Sequence, residues 1–273
     1  MLRYELERFI EEDVGWALEL FDIVDGECRG VVSARQDGVV AGMKEAREVF
    51  CYFGLDVESL AEDGSSVRAD DALMRISGDA SRVLMAERLA LNFIGRMAGI
   101  ATLTGRCVDA LRKVGSEMGV ACTRKTTPGF RRFEKRAVVL GGGDAHRFNL
   151  SEAVMLKDNH LRLASIEEGV KRAKRVAGAM RKVEVEVESV EDAVRAVRAG
   201  ADVIMFDNMH PEQIKRGVEE LMRLGLREKV LLEASGNITC ENITSYAHMG
   251  LDFVSVGAIV HSAPFFDVSL ELE

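Results

Sequence analysis

Hydrophobic and polar positions repeat in one pattern from about residue 120 onward. Short apolar runs rich in β-branched residues alternate with stretches in which apolar residues recur at helical spacing. Such runs are typical of buried strands, and their alternation with helices is typical of βα units and a parallel sheet. The six predicted strands are Val120–Thr123, Ala153–Leu156, Val183–Val187, Val203–Phe206, Val230–Leu232 and Phe253–Val256.

Helix start signals lie between these strands. Ser165 with Glu168 reads as a capping box, and Ser189 precedes a helical stretch that stops at Gly200. Pro211 stands where the first turn of a helix tolerates proline. The pattern therefore predicts a helix after each of the middle strands.

The number of strands indicates a barrel more than an open sheet. The repeat spans only about 140 residues, whereas a full eight-unit barrel takes about 250. We therefore predict an α/β fold with a compact or incomplete barrel, and the strand spacing alone does not separate it from an open sheet.

The first 105 residues show a different mixture of elements. We predict helices at Tyr4–Glu12 and Lys44–Tyr52 and short strands between them and beyond, which indicates a small α+β domain. A long helix from Ser81 to about Val114, with glycines at 95, 99 and 105 that allow a kink or break, joins it to the barrel.

Composition narrows the class of protein. Hydrophobic residues make up 47% of the chain, enough for a sizeable core, and the net charge is −9. That charge argues against general binding of nucleic acid or anionic membranes, which needs a broad basic surface. No apolar run approaches the roughly 18 residues that span a bilayer, and the acidic N-terminus is unlike a signal peptide.

Cysteine usage points to a reducing compartment. The five cysteines are odd in number and widely spaced, with no C-x-x-C pair. We therefore predict neither a disulfide framework nor a structural zinc site, and we expect a cytoplasmic protein.

Polar residues follow the predicted strands at their C-terminal ends, where the active site of an α/β barrel lies. They are Arg124, Lys125, Lys157, Asp158, Asn159, His160, Glu184, Glu186, Glu188, Asp207, Asn208, Glu233, Ser235, Gly236 and Gly257. One polar strand end means little, but six in succession indicate a site.

Basic residues are concentrated between Arg124 and Arg147, with seven Lys or Arg against two acids. Some of these we assign to a solvated basic loop: Arg131, Arg132, Lys135 and Arg136. The remaining basic residues of this stretch stand at strand ends, and together with His146 and Lys157 they favour an anion pocket. They are Arg124, Lys125 and Arg147. Arginine suits bidentate recognition of carboxylates, and lysine serves as a point charge for phosphate.

Glycine loops and carboxylates complete the predicted site. Ser235-Gly236-Asn237 and Gly257-Ala258 end consecutive strands late in the series, as phosphate sites in many barrels do. Glu186 and Asp207 end neighbouring strands and could hold Mg²⁺ through oxygen ligands, or could pair with the nearby cations.

Two chemistries fit a pocket for a polyanionic small molecule and a phosphorylated sugar. One is phosphoribosyl transfer, and the other is a Schiff-base aldolase or lyase that uses Lys157. An aldolase needs one desolvated lysine, whereas several guanidinium groups better serve several carboxylates. The residues therefore favour phosphoribosyl transfer.

At these residues the sequence resembles quinolinate phosphoribosyltransferase, a type II phosphoribosyltransferase. Eight segments carry the resemblance, in the family's order: AERLALNFIGRMAGIATLT (86–104), TRKTTPG (123–129), GGGDAHR (141–147), LKDNH (156–160), EVEVES (184–189), FDN (206–208), EASG (233–236) and SVGAIVHSAP (255–264). TRKTTPG and GGGDAHR with LKDNH are long enough to be highly specific.

The resemblance implies an enzyme of NAD biosynthesis. It would transfer phosphoribosyl from phosphoribosyl pyrophosphate to quinolinate with decarboxylation, giving nicotinate mononucleotide, pyrophosphate and CO₂. The implied fold is an irregular, open, TIM-like α/β barrel over residues 106–264 with a smaller N-terminal α/β sandwich domain over residues 1–105, to which residues 265–273 return. The resemblance also implies Mg²⁺ and a homodimer, or a higher oligomer, in which Arg88 reaches the quinolinate bound by the other subunit.

Site roles follow from the same resemblance. The implied catalytic residues are Lys125, Lys157, Glu186 and Asp207. Quinolinate would contact Arg88, Arg124, His146, Arg147 and Lys157. Phosphoribosyl pyrophosphate would contact Lys125, Lys157, Glu186, Asp207, Ser235, Gly236 and Gly257, with Mg²⁺ on Glu186 and Asp207.

Two rival functions stay open at this point. A phosphoribosyltransferase of the same architecture that uses nicotinate should need fewer cations at the carboxylate site. A catalytically silent relative would bind the sugar phosphate without releasing pyrophosphate or CO₂.

Overall fold

The computed structural model describes residues 1–15, 24–157, 160 and 163–273. The chain forms two compact units. The N-terminal unit comprises residues 1–105, 132–141 and 263–273, and the barrel unit comprises residues 106–131 and 142–262. The predicted division differs from this at residues 132–141 and 263–264, which lie in the N-terminal unit.

The α-helices, in chain order, are α1 (Arg3–Val14), α2 (Met43–Tyr52), α3 (Ala80–Lys113), α4 (Arg131–Leu140), α5 (Ile166–Ala177), α6 (Val190–Ala199), α7 (Pro211–Arg223) and α8 (Ala258–His261). The strands are β1 (Glu27–Ala34), β2 (Gly38–Val39), β3 (Asp56–Ser59), β4 (Ser66–Val67), β5 (Ala72–Asp79), β6 (Gly119–Ala121), β7 (Val154–Leu156), β8 (Val183–Val187), β9 (Val203–Asp207), β10 (Leu231–Ser235), β11 (Phe253–Ser255) and β12 (Val268–Leu272). Short 3₁₀ helices lie at Arg227–Lys229 and Ile243–Tyr246.

The N-terminal unit is built on a four-stranded antiparallel sheet in the order β12-β1-β5-β3. Strand β1 alternates between buried and more exposed positions, with Gly30, Val32 and Ala34 buried, as expected for a sheet with one face on the core. The last strand, β12, pairs with β1 so that Val32 lies opposite Leu270. The chain end thus supplies an edge strand to the sheet of this unit.

Helix α3 runs without a break past the glycines at which the sequence allowed a kink. Two of them instead let the returning chain end pass close by. The Phe266 N–H donates to the carbonyl oxygen of Gly95 at 2.8 Å, and a Cβ added at Gly99 would lie 3.1 Å from the carbonyl carbon of Pro264. These glycines therefore serve close backbone approach rather than bending.

The basic residues assigned to a solvated loop lie in helix α4, so that prediction is wrong. The residues are Arg131, Arg132, Lys135 and Arg136. Arg136 forms ion pairs with Glu45 at 2.6 Å and Asp63 at 2.5 Å, and Lys135 is only 2% exposed. On the buried side, the ring of Phe133 meets that of Phe93 edge to face at 5.2 Å. The ion pairs of Arg136 and the burial of Lys135 show that these two side chains are not surrounded by solvent, contrary to the prediction from the sequence.

The barrel unit holds six parallel strands in the order β7-β8-β9-β10-β11-β6. The first strand of the series thus pairs with the last, as in a sheet that curls towards closure, while β6 and β7 remain unpaired with each other. Asp144 adds to the free edge of β6, since its N–H donates to Val120 O at 2.7 Å and its carbonyl accepts from Cys122 N–H at 3.0 Å. The predicted open, irregular α/β barrel is confirmed.

The predicted helix starts in the barrel unit are also confirmed. Ser165 Oγ accepts the Glu168 N–H at 3.3 Å, and Ser189 Oγ accepts the Asp192 N–H at 3.1 Å. Pro211 is the first residue of α7.

The prediction of no disulfide is wrong for one pair of cysteines. Cys107 on α3 and Cys240, which follows β10, form a disulfide with their Cα atoms 4.7 Å apart. The two residues are separated by 133 positions in the chain, and only the fold brings them together. Cys28 and Cys51 are free thiols, and the Cys122 thiol donates to the carbonyl oxygen of Ala145 at 3.2 Å.

Two glycine substitutions on α3 test the close approach. Gly99→Ala should lower the melting temperature, since its new methyl group meets the backbone at Pro264, and overpacking of this kind costs about 1–3 kcal/mol. Gly105→Ala is the control, because the nearest atom to its Cβ is a flexible valine methyl at 3.5 Å. It should leave the melting temperature unchanged or raise it, since alanine favours helix. Equal melting temperatures for the two variants would contradict this account.

Candidate active site

Strand alternation turns carboxylates to one face of the barrel sheet. In β8 the valines Val183, Val185 and Val187 are at most 2% exposed, and the intervening Glu184 and Glu186 face the opposite way. Register places Glu186 beside Met205 and Met205 beside Glu233, so the same face carries Glu233 on β10. A face of this kind in a parallel barrel is normally apolar, and charges on it indicate a ligand site.

His146 lies on the segment that borders the free edge of β6, in a left-handed conformation with φ of +51°. Its backbone N–H donates to Asp144 Oδ1 at 2.5 Å, and its Nδ1 accepts the backbone N–H of Arg147 at 2.7 Å. Because Nδ1 is an acceptor, a neutral ring carries its proton on Nε2. That nitrogen lies 3.3 Å from Glu233 Oε2 and 3.7 Å from Glu184 Oε2. The ring is thus held at both nitrogens.

Glu184 and Glu233 form a buried carboxyl pair behind His146. They are 3% and 0% exposed. Burial, and then the charge of Glu233, raises the pKa of Glu184 to about 8. Burial raises the pKa of Glu233 to about 7. Two carboxyl groups in a water-poor site cannot both ionise cheaply, so the pair holds a proton near neutral pH.

The same three side chains offer a set of metal ligands. One donor atom from each of His146, Glu184 and Glu233 lies within 4.8 Å of the others. The positive charge of Arg147 acts on both carboxyl groups, however. A nearby cation weakens the case for a divalent ion and favours the shared proton.

Two arginines, Arg147 and Arg124, place positive charge near the buried carboxyl pair. The Arg147 guanidinium donates from Nη1 to Ala153 O at 3.1 Å, next to the start of β7. Burial lowers its pKa, Glu184 partly offsets that shift, and Arg124 adds to it by like-charge repulsion. The Nε of Arg124 is buried and has no hydrogen-bond partner among the residues that the structure describes. A buried guanidinium donor without a partner is free to meet an anionic ligand.

Lysines lie on either side of the arginines. Lys157 forms an ion pair with Glu186; the lysine side chain is 47% exposed and the glutamate is largely buried. Lys125 is exposed, and its Cδ would lie 3.5 Å from a Cβ added at Gly257. Lys157 is thus paired with a carboxylate, and Lys125 lies next to a glycine loop.

The loop after β10 has a specified backbone. Gly236 has a φ of +102° and Asn237 one of +52°. A Cβ at Gly236 would lie 2.8 Å from the backbone nitrogen of Asn208, whose N–H donates to Ser235 O at 2.9 Å. The loops after β9 and β10 are therefore packed backbone to backbone beside Asp207.

The barrel unit brings together most of the predicted site residues through these contacts. Electrostatic interactions run from Arg124 to Arg147 and from Arg147 to Glu186, which pairs with Lys157. Arg88 lies on α3 in the N-terminal unit, 65% exposed and 3.7 Å from Glu87. Asp158 and Asn159, predicted at the end of β7, lie outside the described residues.

Sequence reasoning placed Glu184 and Glu233 at strand ends but gave them no role. The VEVEV alternation of β8 was the available signal, because valines that face the helices force the glutamates to the other face. What the sequence could not supply is the proximity of Glu184 to Glu233, which depends on the curl of the sheet between β8 and β10.

Comparison with known proteins decides the family. The model described as "Quinolinate phosphoribosyl transferase, C-terminal domain" matches residues 100–271, and its N-terminal counterpart matches residues 17–98. The chain belongs to the quinolinate phosphoribosyltransferase family. This confirms the resemblance that the sequence motifs indicated.

Known relatives match this chain over nearly its whole length. The "Probable nicotinate-nucleotide pyrophosphorylase [carboxylating]" of Archaeoglobus fulgidus is 46% identical over 90% of this chain and 95% of its own. The human "Nicotinate-nucleotide pyrophosphorylase [carboxylating]" is 36% identical over 90% and 83% of the two chains. The solved structure of the nicotinate-nucleotide pyrophosphorylase from Francisella tularensis has a TM-score of 0.92 at 33% identity, covering 98% of this chain and 94% of that one.

Among the described residues, no helix combines the length and the apolar character needed to cross a membrane.

The buried carboxyl pair predicts a pH-dependent stability. In the folded chain the pKa of Glu184 is about 8, against 4.5 as its ordinary value, so unfolding releases its proton between those pH values. Its contribution to stability therefore falls as the pH rises from about 4.5 to about 8. Glu184→Gln removes this titration, and its melting temperature relative to the wild type should rise between pH 5 and pH 8.5.

Glu188→Gln, an exposed position at the end of the same strand, is the matched control. Its melting temperature relative to the wild type should stay constant over that range. A constant difference for Glu184→Gln as well would show that the pair is not protonated in the folded state.

Proposed function

We propose that the chain is a nicotinate-nucleotide pyrophosphorylase of the carboxylating kind. It transfers phosphoribosyl from phosphoribosyl pyrophosphate to the ring nitrogen of quinolinate, and one carboxylate leaves as CO₂. The products are nicotinate mononucleotide and pyrophosphate, a step of NAD biosynthesis. The full-length family match supports this reaction. The observation that carries it at the site is the buried Nε of Arg124 beside Arg147, which has no hydrogen-bond partner in the described part of the chain.

Two guanidinium groups at one site favour a dicarboxylate over a monocarboxylate. Arg124 and Arg147 interact unfavourably with each other, and an anion between them relieves that repulsion. Lys157 and His146 complete the set that we assign to the two carboxylates of quinolinate. Nicotinate, with one carboxylate, would leave one of the arginines without a partner.

Lys157 does not have the setting of a Schiff-base nucleophile. Its side chain is about half exposed and its ammonium group is held in an ion pair with Glu186. An ammonium in an ion pair lacks the free electron pair that attack on a carbonyl requires. The pairing supports charge recognition, shared between quinolinate and the sugar diphosphate, and disfavours the aldolase alternative.

The sugar diphosphate is assigned to the opposite side of the site. Ser235, Gly236 and Gly257 would hold the 5′-phosphate through backbone N–H groups, and Lys125 would contact it near the Gly257 loop. Glu186 and Asp207 would bind the ribose hydroxyls. Asp207 accepts from Asn208 Nδ2 at 2.9 Å, which fixes the orientation of its carboxylate.

Glu186 and Asp207 are the ligands that we propose for Mg²⁺, since both offer carboxylate oxygens at the ends of neighbouring strands, the ligands that this ion prefers. Glu186 would exchange its ion pair with Lys157 for the ion. When bound, Mg²⁺ would neutralise charge on the departing pyrophosphate. Activity that persists unchanged in the presence of a strong chelator would contradict this assignment.

The site's own charges account for the transition state. As pyrophosphate leaves, positive charge develops on C1 and O4 of the ribose, and the carboxylates of Glu186 and Asp207 stabilise it. The pyridine nitrogen attacks C1 and becomes positive. That charge then stabilises the carbanion left when the adjacent carboxylate departs as CO₂, and burial of the carboxylate assists its loss.

Truncation of the cations tests the reaction. Arg147→Ala and Lys157→Ala should each lower turnover of quinolinate about a hundredfold or more, equal to about 3 kcal/mol of the barrier, because each removes a charge that positions a carboxylate. Release of CO₂ and formation of nicotinate mononucleotide are the measured quantities. Arg172→Ala, on the exposed face of α5, is the control and should act as the wild type does.

Nicotinate offered in place of quinolinate to the wild type should give little product. Near-normal turnover in Arg147→Ala or Lys157→Ala, or a preference for nicotinate, would overturn the proposed roles. Binding of phosphoribosyl pyrophosphate without release of pyrophosphate would instead indicate a silent relative.

We further propose a homodimer, or a higher oligomer built from it, in which Arg88 completes the partner's site. The exposure of the Arg88 guanidinium on α3 supports a role outside its own unit. Its only ion pair among the described residues is with its sequence neighbour Glu87, at 3.7 Å. Such a weak contact leaves the charge available to a ligand.

Mixed dimers test the sharing of Arg88. Arg88→Ala and Lys157→Ala should each be nearly inactive. A mixture of the two, after subunit exchange, should recover up to about a quarter of wild-type activity, since half of the dimers are mixed and each holds one intact site. No recovery in a mixture shown to contain mixed dimers would mean that each site is complete within one chain.

A further inference from the structure

The disulfide attaches the loop that follows β10 to the buried part of α3. Cys107 on α3 has no solvent exposure. Cys240 lies five residues beyond Ser235, the last residue of β10 and one of those assigned to the 5′-phosphate. The covalent bond thus joins a rigid helix to the loop that begins with Ser235-Gly236-Asn237.

The first half of this loop depends on close backbone packing. Gly236 and Asn237 are both left-handed, and the side chain of Asn237 donates to Asn208 Oδ1 at 3.4 Å. The backbone of Asn208 also binds Ser235. Small displacements of the loop would therefore disturb the backbone groups that face a phosphate.

The second half of the loop is held by its own hydrogen bonds. Asn242 accepts the Thr239 N–H at Oδ1 over 2.8 Å and donates from Nδ2 to Asn237 O at 2.9 Å. The Ile243 N–H donates to Thr239 O at 3.0 Å. Residues 237–243 therefore form a turn held by its own hydrogen bonds, and the disulfide at Cys240 connects this turn to α3.

We propose that the Cys107–Cys240 disulfide positions the phosphate loop, so that its reduction weakens binding of phosphoribosyl pyrophosphate while quinolinate binding is kept. The phosphate role of the loop rests on the proposed function. Reduction by a dithiol proceeds by exchange: one thiolate of the reductant attacks a sulfur of the disulfide, forms a mixed disulfide and releases one cysteine thiolate. The second thiolate of the reductant then attacks the mixed disulfide at the reductant's own sulfur and releases the other cysteine thiolate. The protein gains two thiols and the dithiol becomes a cyclic disulfide.

Kinetics of the reduced enzyme test the proposal. Treatment with a dithiol, or the substitution Cys240→Ser, should raise the KM for phosphoribosyl pyrophosphate about tenfold and change the KM for quinolinate less than about twofold. Cys51→Ser, at an exposed free thiol, is the control and should match the wild type in both redox states. Cys240→Ser should not respond to the dithiol.

A purely structural bond would give a different result. A lower melting temperature on reduction, with both KM values unchanged, would overturn the proposal. Titration of the untreated protein should find three thiols, those of Cys28, Cys51 and Cys122. Five thiols would overturn it outright.

Hydrogen exchange separates this proposal from the proposed function, because it needs neither substrate nor turnover. Backbone amides of residues 236–243 should exchange faster after reduction, while those of β8 should not. Faster exchange in a protein that fails to use quinolinate would overturn the proposed function but would still support the proposal that the disulfide positions the loop. Unchanged exchange would overturn the proposal that the disulfide positions the loop.

Discussion

Charges placed inside a barrel must neutralise one another until a ligand does so. The inward face of β8 to β10 carries Glu184, Glu186 and Glu233, and the guanidinium of Arg147 acts on all three. Removal from water is costly for each of these groups alone. The shared proton of Glu184 and Glu233, and the ion pair of Glu186 with Lys157, are the two ways in which this site lowers that cost. Within the described ranges the buried Nε of Arg124 meets no acceptor, and an anionic substrate can supply one.

The gap in the barrel determines how these charges are held. Because β6 and β7 do not pair, the segment from Asp144 to Arg147 lies along the free edge of β6. Its far end reaches β7 through the Arg147 guanidinium and Ala153. A closed barrel would have no place for this segment, so the irregularity of the fold and the location of two site residues have one cause.

Local chemistry made much of the fold predictable. The strands of the barrel unit and the helix starts at Ser165, Ser189 and Pro211 follow from apolar runs, capping side chains and proline, and each acts over a few residues. The errors all concern distant partners. Helix α4 is as rich in charge as a solvated loop, and only the fold shows that Arg136 pairs with Glu45 and Asp63. The Cys107–Cys240 disulfide joins two residues whose sequence spacing does not indicate a bond. The site shows the same division, since strand ends marked its cations but only the curl of the sheet pairs Glu184 with Glu233.

A crystal structure with quinolinate bound tests the central claim most directly. We expect one carboxylate within hydrogen-bond distance of the buried Nε–H edge of Arg124 and the other within reach of Arg147 or Lys157, with water excluded from both contacts. Quinolinate bound with either carboxylate in bulk solvent, or with Arg124 turned away from it, would contradict the account.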